Sequence, residues 1–270
     1  MGISISEDFC LYTLQFVEDQ VICAGDKDDL EYMTRKLKEE YQVWGLETKY
    51  LCIGSDQTAI KLDNEYVQTC SEYEYLGVTF DKSGKDGNEI SSRIVKARNA
   101  IKCLNNILWS NEIGKDRKLR IYDAIIKSNL LFWAETWRLT ENNKRKLLAV
   151  EMDAIRRSAR TSKLDGVRKE TIRDKMGRQK TIVEEIESAQ LKWYGHVRRM
   201  DNTRLPQKVL NWLPQKRRKR ERPRTNWMDG VKKAMSSRDL RDGHWNERNQ
   251  WRLAIASHNV EGRFKSDTYI

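Results

Sequence analysis

The hydrophobic periodicity of the chain changes at the polar break Asp81-Lys-Ser-Gly-Lys-Asp-Gly87. Before this break, short apolar runs rich in β-branched and aromatic residues predict strands around a single helix. After it, apolar residues recur three and four positions apart, which is the spacing of amphipathic helices. Strands and helices are therefore segregated along the chain. This predicts an α+β fold, with a small β-containing piece followed by a mainly helical remainder.

The part before the break contains a hairpin pattern and a helix pattern. Two β-like runs, Phe9–Phe16 and Gln20–Ala24, flank Val17-Glu18-Asp19 and predict a hairpin with acidic residues at its tip. Asp26, Asp28 and Asp29 predict the N-cap and the first-turn acids of a helix. The apolar stripe of that helix consists of Leu30, Met33, Leu37, Tyr41 and Trp44. Further short strands are predicted over 50–54, 58–62, 66–69 and 75–80.

Helical stripes follow the break. They are Ile90, Ile94, Ala97, Ile101, Leu104 and Leu108; Leu119, Tyr122, Ile126 and Leu130; Leu148, Met152, Ile155 and Ala159; and Ile182, Ile186, Ala189, Trp193, His196 and Met200. Two terminal helices are predicted near Trp227 and Trp251. With a further break at Gly166, the predicted domains are 1–85, 86–162 and 163–270.

The net charge of +11 is unevenly distributed. Residues 1–150 contain 21 Lys/Arg and 24 Asp/Glu, a net charge of −3, whereas residues 151–270 contain 30 and 16, a net charge of +14. The second half therefore creates a field that attracts phosphate, which favours RNA and DNA as partners. A merely solvated basic surface is the alternative.

Other patterns bear on the cellular setting. The five cysteines (Cys10, Cys23, Cys52, Cys70 and Cys103) contain no C-x-x-C pair, so reduced thiols and no zinc site are expected. No apolar run reaches about eighteen residues, so no transmembrane helix is predicted. The residues before Phe9 lack the basic-then-apolar order of a signal peptide. We therefore expect an intracellular protein without a membrane partner.

The acidic hairpin suggests metal chemistry. Polynucleotide synthesis uses two Mg²⁺ ions about 4 Å apart, which activate the primer hydroxyl and neutralise the triphosphate. Carboxylates in a tight hairpin suit this task because both strands fix them, which makes Glu18 and Asp19 candidate ligands and catalytic residues. Two acids in a solvated turn are the alternative.

Phe16-Val-Glu-Asp19 resembles the Phe-Ala-Asp-Asp hairpin of retroelement reverse transcriptases. Further matching segments follow in the family's order: Tyr41-Gln-Val-Trp-Gly-Leu46, Tyr73-Glu-Tyr-Leu-Gly77, Glu135-Thr-Trp137, Ile155-Arg-Arg-Ser-Ala159, Leu191–Met200, and Arg222-Pro-Arg224 with Trp227. The chain is thus similar to the C-terminal part of a reverse transcriptase from a LINE-like (non-LTR) retrotransposon of the RTE and jockey type. The resemblance implies a partial palm, a thumb and a basic tail of an RNA-directed DNA polymerase that uses Mg²⁺.

Some features depart from the family pattern. Glu18 replaces an aspartate, and a displacement of about 1 Å in a metal ligand can cost on the order of a hundredfold in rate. The family places a further aspartate on an upstream strand, whereas Asp8 lies too close in sequence to form one. The segment Gly45–Tyr50 is shortened, which leaves Lys49 as the nearest candidate for a nucleotide contact. We therefore expect Asp19 and Glu18 to be remnant ligands and the chain to lack polymerase activity by itself.

The resemblance also assigns a primer-grip-like strand and turn to Tyr73, Tyr75 and Gly77. A glycine permits close backbone approach and tyrosines pack on sugars or bases; a plain strand with core tyrosines is the alternative. In the thumb-like helices, the basic residues are expected on polar faces, with a minority touching phosphate. These are Arg93, Lys96, Arg98, Lys102, Lys115, Arg117, Lys118 and Arg120.

The segment around Trp193 allows two interpretations. Trp193, Tyr194 and His196 could form a stacking platform, with Arg198 and Arg199 as phosphate ligands. Because Trp193 and His196 share the stripe of Ile186, core packing is the preferred prediction.

A basic run forms the most specific cationic signal. It consists of Lys216, Arg217, Arg218, Lys219 and Arg220, continued by Arg222 and Arg224. The run lies between Pro214 and Pro223, so we expect an extended segment that follows a phosphate backbone. Nuclear import is a compatible role, which makes a nuclear location plausible; a solvated charge run is the alternative.

Three functions follow from these patterns. The leading one is a truncated, inactive reverse transcriptase fragment that binds RNA and DNA backbone. The second is a non-catalytic nucleic-acid-binding protein that uses only the helical part. The third is a degenerate open reading frame without a selected role.

Overall fold

A computed structural model describes residues 2–17, 19–41, 49–53, 60–62, 65–212 and 226–256. These residues form two compact units. The first unit consists of 2–88 together with 201–212, and the second of 89–200 together with 226–256. The division after residue 88 lies next to the polar break at which the sequence periodicity changes.

The first unit begins with two antiparallel hairpins. The strands are β1 (Ile3–Ser6) with β2 (Phe9–Leu11), and β3 (Thr13–Phe16) with β4 (Asp19–Ile22). The predicted hairpin is confirmed, but the apolar run Phe9–Phe16 is divided at Tyr12 between two sheets. Its first half pairs with β1, a strand that the sequence pattern did not predict.

Helix α1 (Lys27–Tyr41) follows the second hairpin. The Asp26 carboxylate accepts a hydrogen bond of 2.9 Å from the backbone N–H of Asp29, which satisfies one of the free donors at the helix start. The predicted N-cap is therefore confirmed. The end of the apolar stripe at Trp44 lies outside the described residues.

Short strand pairs follow α1 in the first unit. They are β5 (Lys49–Tyr50) with β8 (Gln68–Thr69) in parallel, and β6 (Lys61–Leu62) with β7 (Glu65–Tyr66) and β9 (Glu72–Tyr75) with β10 (Val78–Asp81), both antiparallel. The prediction of one continuous strand over 75–80 is wrong. Leu76 and Gly77 have φ angles of 50° and 76°, so the chain reverses there in a two-residue hairpin turn.

The remaining described elements are helical. They are α2 (Gly87–Cys103), α3 (Asn105–Trp109), α4 (Lys115–Ile121), a π-helical segment (Tyr122–Lys127), α5 (Ser128–Leu131), α6 (Glu141–Ser158), α7 (Lys169–Met176), α8 (Ile182–Arg198), α9 (Leu205–Leu210), α10 (Trp227–Ser236) and α11 (Arg248–Ala256). Short 3₁₀ turns lie at Ala134–Thr136 and His244–Asn246. The two predicted terminal helices are confirmed as α10 and α11.

Helix α9 belongs to the first unit, where it packs near β1. The indole N–H of Trp212 donates a hydrogen bond of 2.7 Å to the carbonyl oxygen of Ser4. The Lys208 ammonium lies 4.3 Å from the centroid of the Phe9 ring, which is a cation–π contact. Residues 201–212 are thereby attached to the N-terminal hairpins.

The core of the second unit comes mainly from the predicted stripes. Its fully buried members include Ile90, Ala97, Leu108, Ile126 and Leu130, in the main cluster. Helix α6 is buried on two sides: Leu147, Val150 and Ala154 enter this cluster, whereas Ile155 and Ala159 pack against Ile172 and Met176 of α7. A single predicted stripe therefore underestimates the burial of α6.

A buried ion pair joins α6 to α7 and α8. Glu151 is completely buried, and its carboxylate accepts hydrogen bonds of 3.2 and 2.5 Å from the Arg173 guanidinium. The same carboxylate accepts a 3.0 Å hydrogen bond from the backbone N–H of Ile182, in the first turn of α8. The charge of Glu151 thus has a cationic partner and also lies at the positive end of a helix.

The buried face of α8 differs from the predicted stripe. Trp193 is 38% exposed and His196 is exposed, whereas Gln190, Tyr194 and Val197 are buried. The preference for core packing of Trp193 and His196 is therefore wrong. The first half of the predicted stripe is buried at Ile182 and Ile186, and the observed face differs only in the second half, where the buried residues lie one position after the predicted ones. The reason is that α10 and α11 pack on this side of α8.

The observed architecture is mixed, with small two-stranded sheets in the first unit and helices throughout the second. The general α+β class predicted from the sequence is confirmed at this level. Over the described parts of the chain, every helix is too short or too polar to cross a lipid bilayer.

Candidate nucleic-acid interface

The acidic hairpin brings few ligands together. Asp19 is the first residue of β4 and pairs with Phe16, so it closes the hairpin at the base of the turn. Its expected partner Glu18 lies outside the described residues, and Asp8 lies in the turn of the separate β1–β2 hairpin. Among the described residues, no three His, Cys, Asp or Glu side chains are grouped as a metal site would require. The Mg²⁺ site that the resemblance implies therefore stays a prediction.

The primer-grip-like hairpin has two chemically different faces. Tyr73 and Tyr75 are half-buried on one face of β9, and Glu72 and Glu74 are exposed on the other. Gly77 lies in the turn between β9 and β10. Because exposed glutamates repel phosphate, the tyrosine face is the one suited to a primer. The primer contact itself stays a prediction.

A cluster of positive charge lies at the C-terminal end of α6. The α6-end cations, as we call them, are Lys115, Lys118, Arg160 and Lys175. Lys118 Nζ donates hydrogen bonds of 2.7 and 3.3 Å to the carbonyl oxygens of Ser110 and Ser158. Lys175 Nζ donates one of 3.2 Å to the carbonyl oxygen of Ala159, and Lys115 Nζ one of 3.5 Å to that of Lys175.

Helix physics explains why cations gather here. The last carbonyl groups of an α-helix lack partners within the helix, and the helix dipole places partial negative charge at that end. Lys118 and Lys175 satisfy two such carbonyl groups of α6. Arg160 follows with a φ of 55°, and its guanidinium donates to the side-chain oxygen of Asn111.

The charges of this cluster lack carboxylate partners within ion-pair distance in the part of the chain that the structure describes. None of the four α6-end cations forms an ion pair with a described residue. The pKa of the Lys118 ammonium is lowered, mainly because the group is buried and to a smaller extent because the positive charge of Arg160 lies nearby. Lys115, Arg160 and Lys175 are exposed and keep free donor capacity. Such a cluster can bind phosphate oxygens by charge-assisted hydrogen bonds.

Sequence reasoning identified only part of this cluster. Lys115 and Lys118 were among the basic residues of the thumb-like helices, whereas Arg160 and Lys175 were not singled out. Lys115 and Lys175 are 60 positions apart and meet only through the packing of α4 and α7 around α6. No local pattern in the sequence signals that convergence.

The expectation that the basic residues of these helices lie on polar faces is wrong in two cases. Arg93 is 6% exposed, donates a 2.5 Å hydrogen bond to Glu89 and lies 4.2 Å from the centroid of the Phe132 ring. Lys118 is 3% exposed. Both side chains are buried and form hydrogen bonds within the protein, so they are poorly placed to contact a phosphate.

Arg198 and Arg199, two predicted phosphate ligands, are half-buried at the end of α8. Arg198 Nε donates a 3.1 Å hydrogen bond to the Tyr194 hydroxyl, and its guanidinium lies 4.9 Å from the centroid of the Trp245 ring. Arg199 donates a 2.7 Å hydrogen bond to the Trp245 carbonyl oxygen. Burial and the nearby Arg248 lower the pKa of Arg199. Both arginines are thus partly used in packing, and phosphate binding by their remaining donors stays a prediction.

The basic run at Lys216–Arg220, with Arg222 and Arg224, lies outside the described residues. Its expected extended conformation therefore stays a prediction.

Comparison of the chain with protein-family models, curated proteins and solved structures found no match.

Proposed function

We propose that the chain binds the phosphate backbone of RNA or DNA through its basic second half, as a non-catalytic relative of retrotransposon reverse transcriptases. The observation that carries the proposal is the set of α6-end cations, of which three are exposed and none is paired with a described carboxylate. Unpaired cations that are held close together repel one another, so a phosphate bound between them lowers their electrostatic energy.

Two sequence features support this function. The charge of +14 over residues 151–270 extends the local cluster into a general positive field. The order of segments similar to the palm, thumb and basic tail of the reverse transcriptase family favours RNA and DNA over other polyanions. Glu18 in place of an aspartate favours a role without catalysis.

Binding measured as a function of salt concentration tests the proposal. The triple variant K115Q/R160Q/K175Q should bind RNA and duplex DNA more weakly on all sequences. It should also lower the slope of log affinity against log salt by up to about 0.9 for each duplex phosphate that is no longer neutralised. Lys118 is left unchanged because its burial gives it a structural role.

A matched control removes the same charge from the first unit. The variant R35Q/K82Q/K85Q replaces three exposed cations there and should leave the slope near its original value. An equal loss in both variants would mean that only net charge matters, which would contradict a defined interface. Primer extension by the purified chain that is lost on Asp19→Ala would overturn the non-catalytic part of the proposal.

A further inference from the structure

The outer face of α8 carries an exposed aromatic pair. Trp193 is 38% exposed, and its ring centroid lies 5.8 Å from that of the exposed His196. A tryptophan usually gains stability by burying its large apolar surface. The exposure of Trp193 therefore has to be explained, and the packing of the opposite side of α8 shows that the helix itself is held in place.

The inner face of α8 is firmly held. Tyr194 and Gly195 are buried, and the indole of Trp251 occupies the space that a Cβ atom at position 195 would need. The Trp251 indole N–H also donates a 3.2 Å hydrogen bond to the Leu191 carbonyl oxygen. The Tyr194 and Trp245 rings meet edge to face at 5.5 Å. These contacts fix the rotation of α8, so Trp193 is held at the surface by the packing of its neighbours.

Two cations, Lys192 and Arg199, flank His196 on α8 at spacings of four and three residues. Lys192, His196 and Arg199 are spaced so that they lie on one side of α8, and Lys192 is exposed beside Trp193. Arg248 of α11 lies close enough to Arg199 for the two charges to interact. Lys192, Arg199 and Arg248 form no ion pair with a described residue. The face is thus aromatic and positively charged.

We propose that this face, formed by Lys192, Trp193, His196 and Arg199, binds an unpaired base of a single-stranded nucleic acid. The base stacks on the exposed part of the Trp193 indole, and Lys192 and Arg199 contact the flanking phosphates. The inference rests on the proposed function and adds that binding depends on bases as well as on the backbone. Base stacking on aromatic side chains tolerates any sequence, since every base has a π face.

Charge complementarity favours a nucleic-acid strand over a protein partner. The centre of a protein interface is depleted of charged residues, and its anchoring tryptophans lie among apolar neighbours. On this face, the exposed neighbours of Trp193 are Lys192 and His196, whereas Ala189 and Met200 of the same stripe are half-buried. Aromatic rings beside cations suit a single strand, because each base in it can stack on a ring while the adjacent phosphate contacts a cation.

Two probes of equal charge separate stacking from backbone binding. One is an oligoadenylate DNA strand, and the other is a strand of the same length made of abasic sites. The wild-type chain should bind oligoadenylate more tightly. Trp193→Leu should weaken that binding about five- to a hundredfold and leave both the binding of the abasic strand and the salt slope unchanged. Trp193→Phe keeps an aromatic ring and should therefore retain most of the wild-type affinity for oligoadenylate.

Trp109→Leu is the matched control, because Trp109 is exposed to nearly the same extent, 37%, in the same unit. It should leave binding of both probes unchanged. An unchanged affinity of W193L for oligoadenylate, an equal loss for both probes, or a change in oligomeric state would overturn the stacking site while the proposed function stands. If the wild-type chain binds neither probe nor duplex, the proposed function itself fails.

Discussion

Glu151 is a single carboxylate that joins three helices of the second unit. Both of its oxygens accept hydrogen bonds from Arg173, and one also accepts from the start of α8. Removing one partner of a buried ion pair leaves the other charge without compensation, which is far more costly than losing an exposed pair.

Glu151→Gln should therefore lower the free energy of unfolding by about 3 kcal/mol. The control is Glu141→Gln in the same helix, where the side chain is 73% exposed and lies 3.5 Å from Lys144. This change should cost less than about 1 kcal/mol. Urea unfolding followed by circular dichroism measures both, and equal effects would contradict the structural role of Glu151.

Individual charged residues were hard to place from the sequence. Charged side chains are rarely buried, so a sequence reading puts them at the surface. Glu151 finds its partner Arg173 22 positions away, and this pairing becomes visible only when α6 and α7 pack together. Asp26, whose partner is three residues away, was predicted correctly because the capping interaction is local.

At the scale of elements, the β9–β10 hairpin has a leucine at a turn position with positive φ, which is unusual for that residue. Leu76 and Gly77 both have positive φ, which a glycine adopts freely and a leucine adopts only at an energetic cost. Two-residue hairpin turns of this kind favour Asn followed by Gly.

Leu76→Asn should therefore stabilise the first unit by about 0.5 to 1 kcal/mol, whereas Gly77→Ala should destabilise it by about 1 to 2 kcal/mol. Thermal unfolding and hydrogen exchange of the hairpin amides report both changes. The two variants control each other, because they alter adjacent positions with opposite expected signs. Destabilisation by L76N would show that the leucine side chain makes packing interactions that outweigh the backbone strain.

The elements were largely predictable, because apolar residues that recur three and four positions apart indicate an amphipathic helix. The stripes through Ile90, Ile126 and Ile155 lead to buried faces. Prediction failed for α8, where two adjacent lines of apolar residues compete and the packing of α10 and α11 decides between them. Prediction also failed over 75–80, where residues with high β propensity predicted one strand although Leu76 and Gly77 form a turn.

For the whole molecule, the uneven distribution of charge leads to a prediction about the basic run. Replacing Lys216, Arg217, Arg218, Lys219 and Arg220 by glutamine should weaken binding to all nucleic-acid sequences. The salt slope should fall by about 0.7 to 0.9 for each phosphate that the run no longer neutralises. The control replaces the same number of cations in the first unit, at Lys27, Arg35, Lys36, Lys82 and Lys85. An unchanged salt slope would refute the assignment of the run to phosphate binding.

The general fold class and the positive second half could be predicted from the sequence, since both are sums over many residues. The candidate site could be predicted only in part. Lys115 and Lys118 were recognised as basic residues of a helical region, but their meeting with Arg160 and Lys175 depends on tertiary packing. The exposure of Trp193 likewise depends on which neighbours cover the other side of its helix.

The close approach of Trp251 to position 195 also constrains how this sequence can vary. A larger side chain at 195 needs room that becomes available only if the indole at 251 is replaced by something smaller. A larger side chain at 195 is therefore tolerated only together with a smaller one at 251, although 56 positions separate the two. In a set of descendants from this chain, position 195 should depart from glycine only where position 251 has lost its tryptophan.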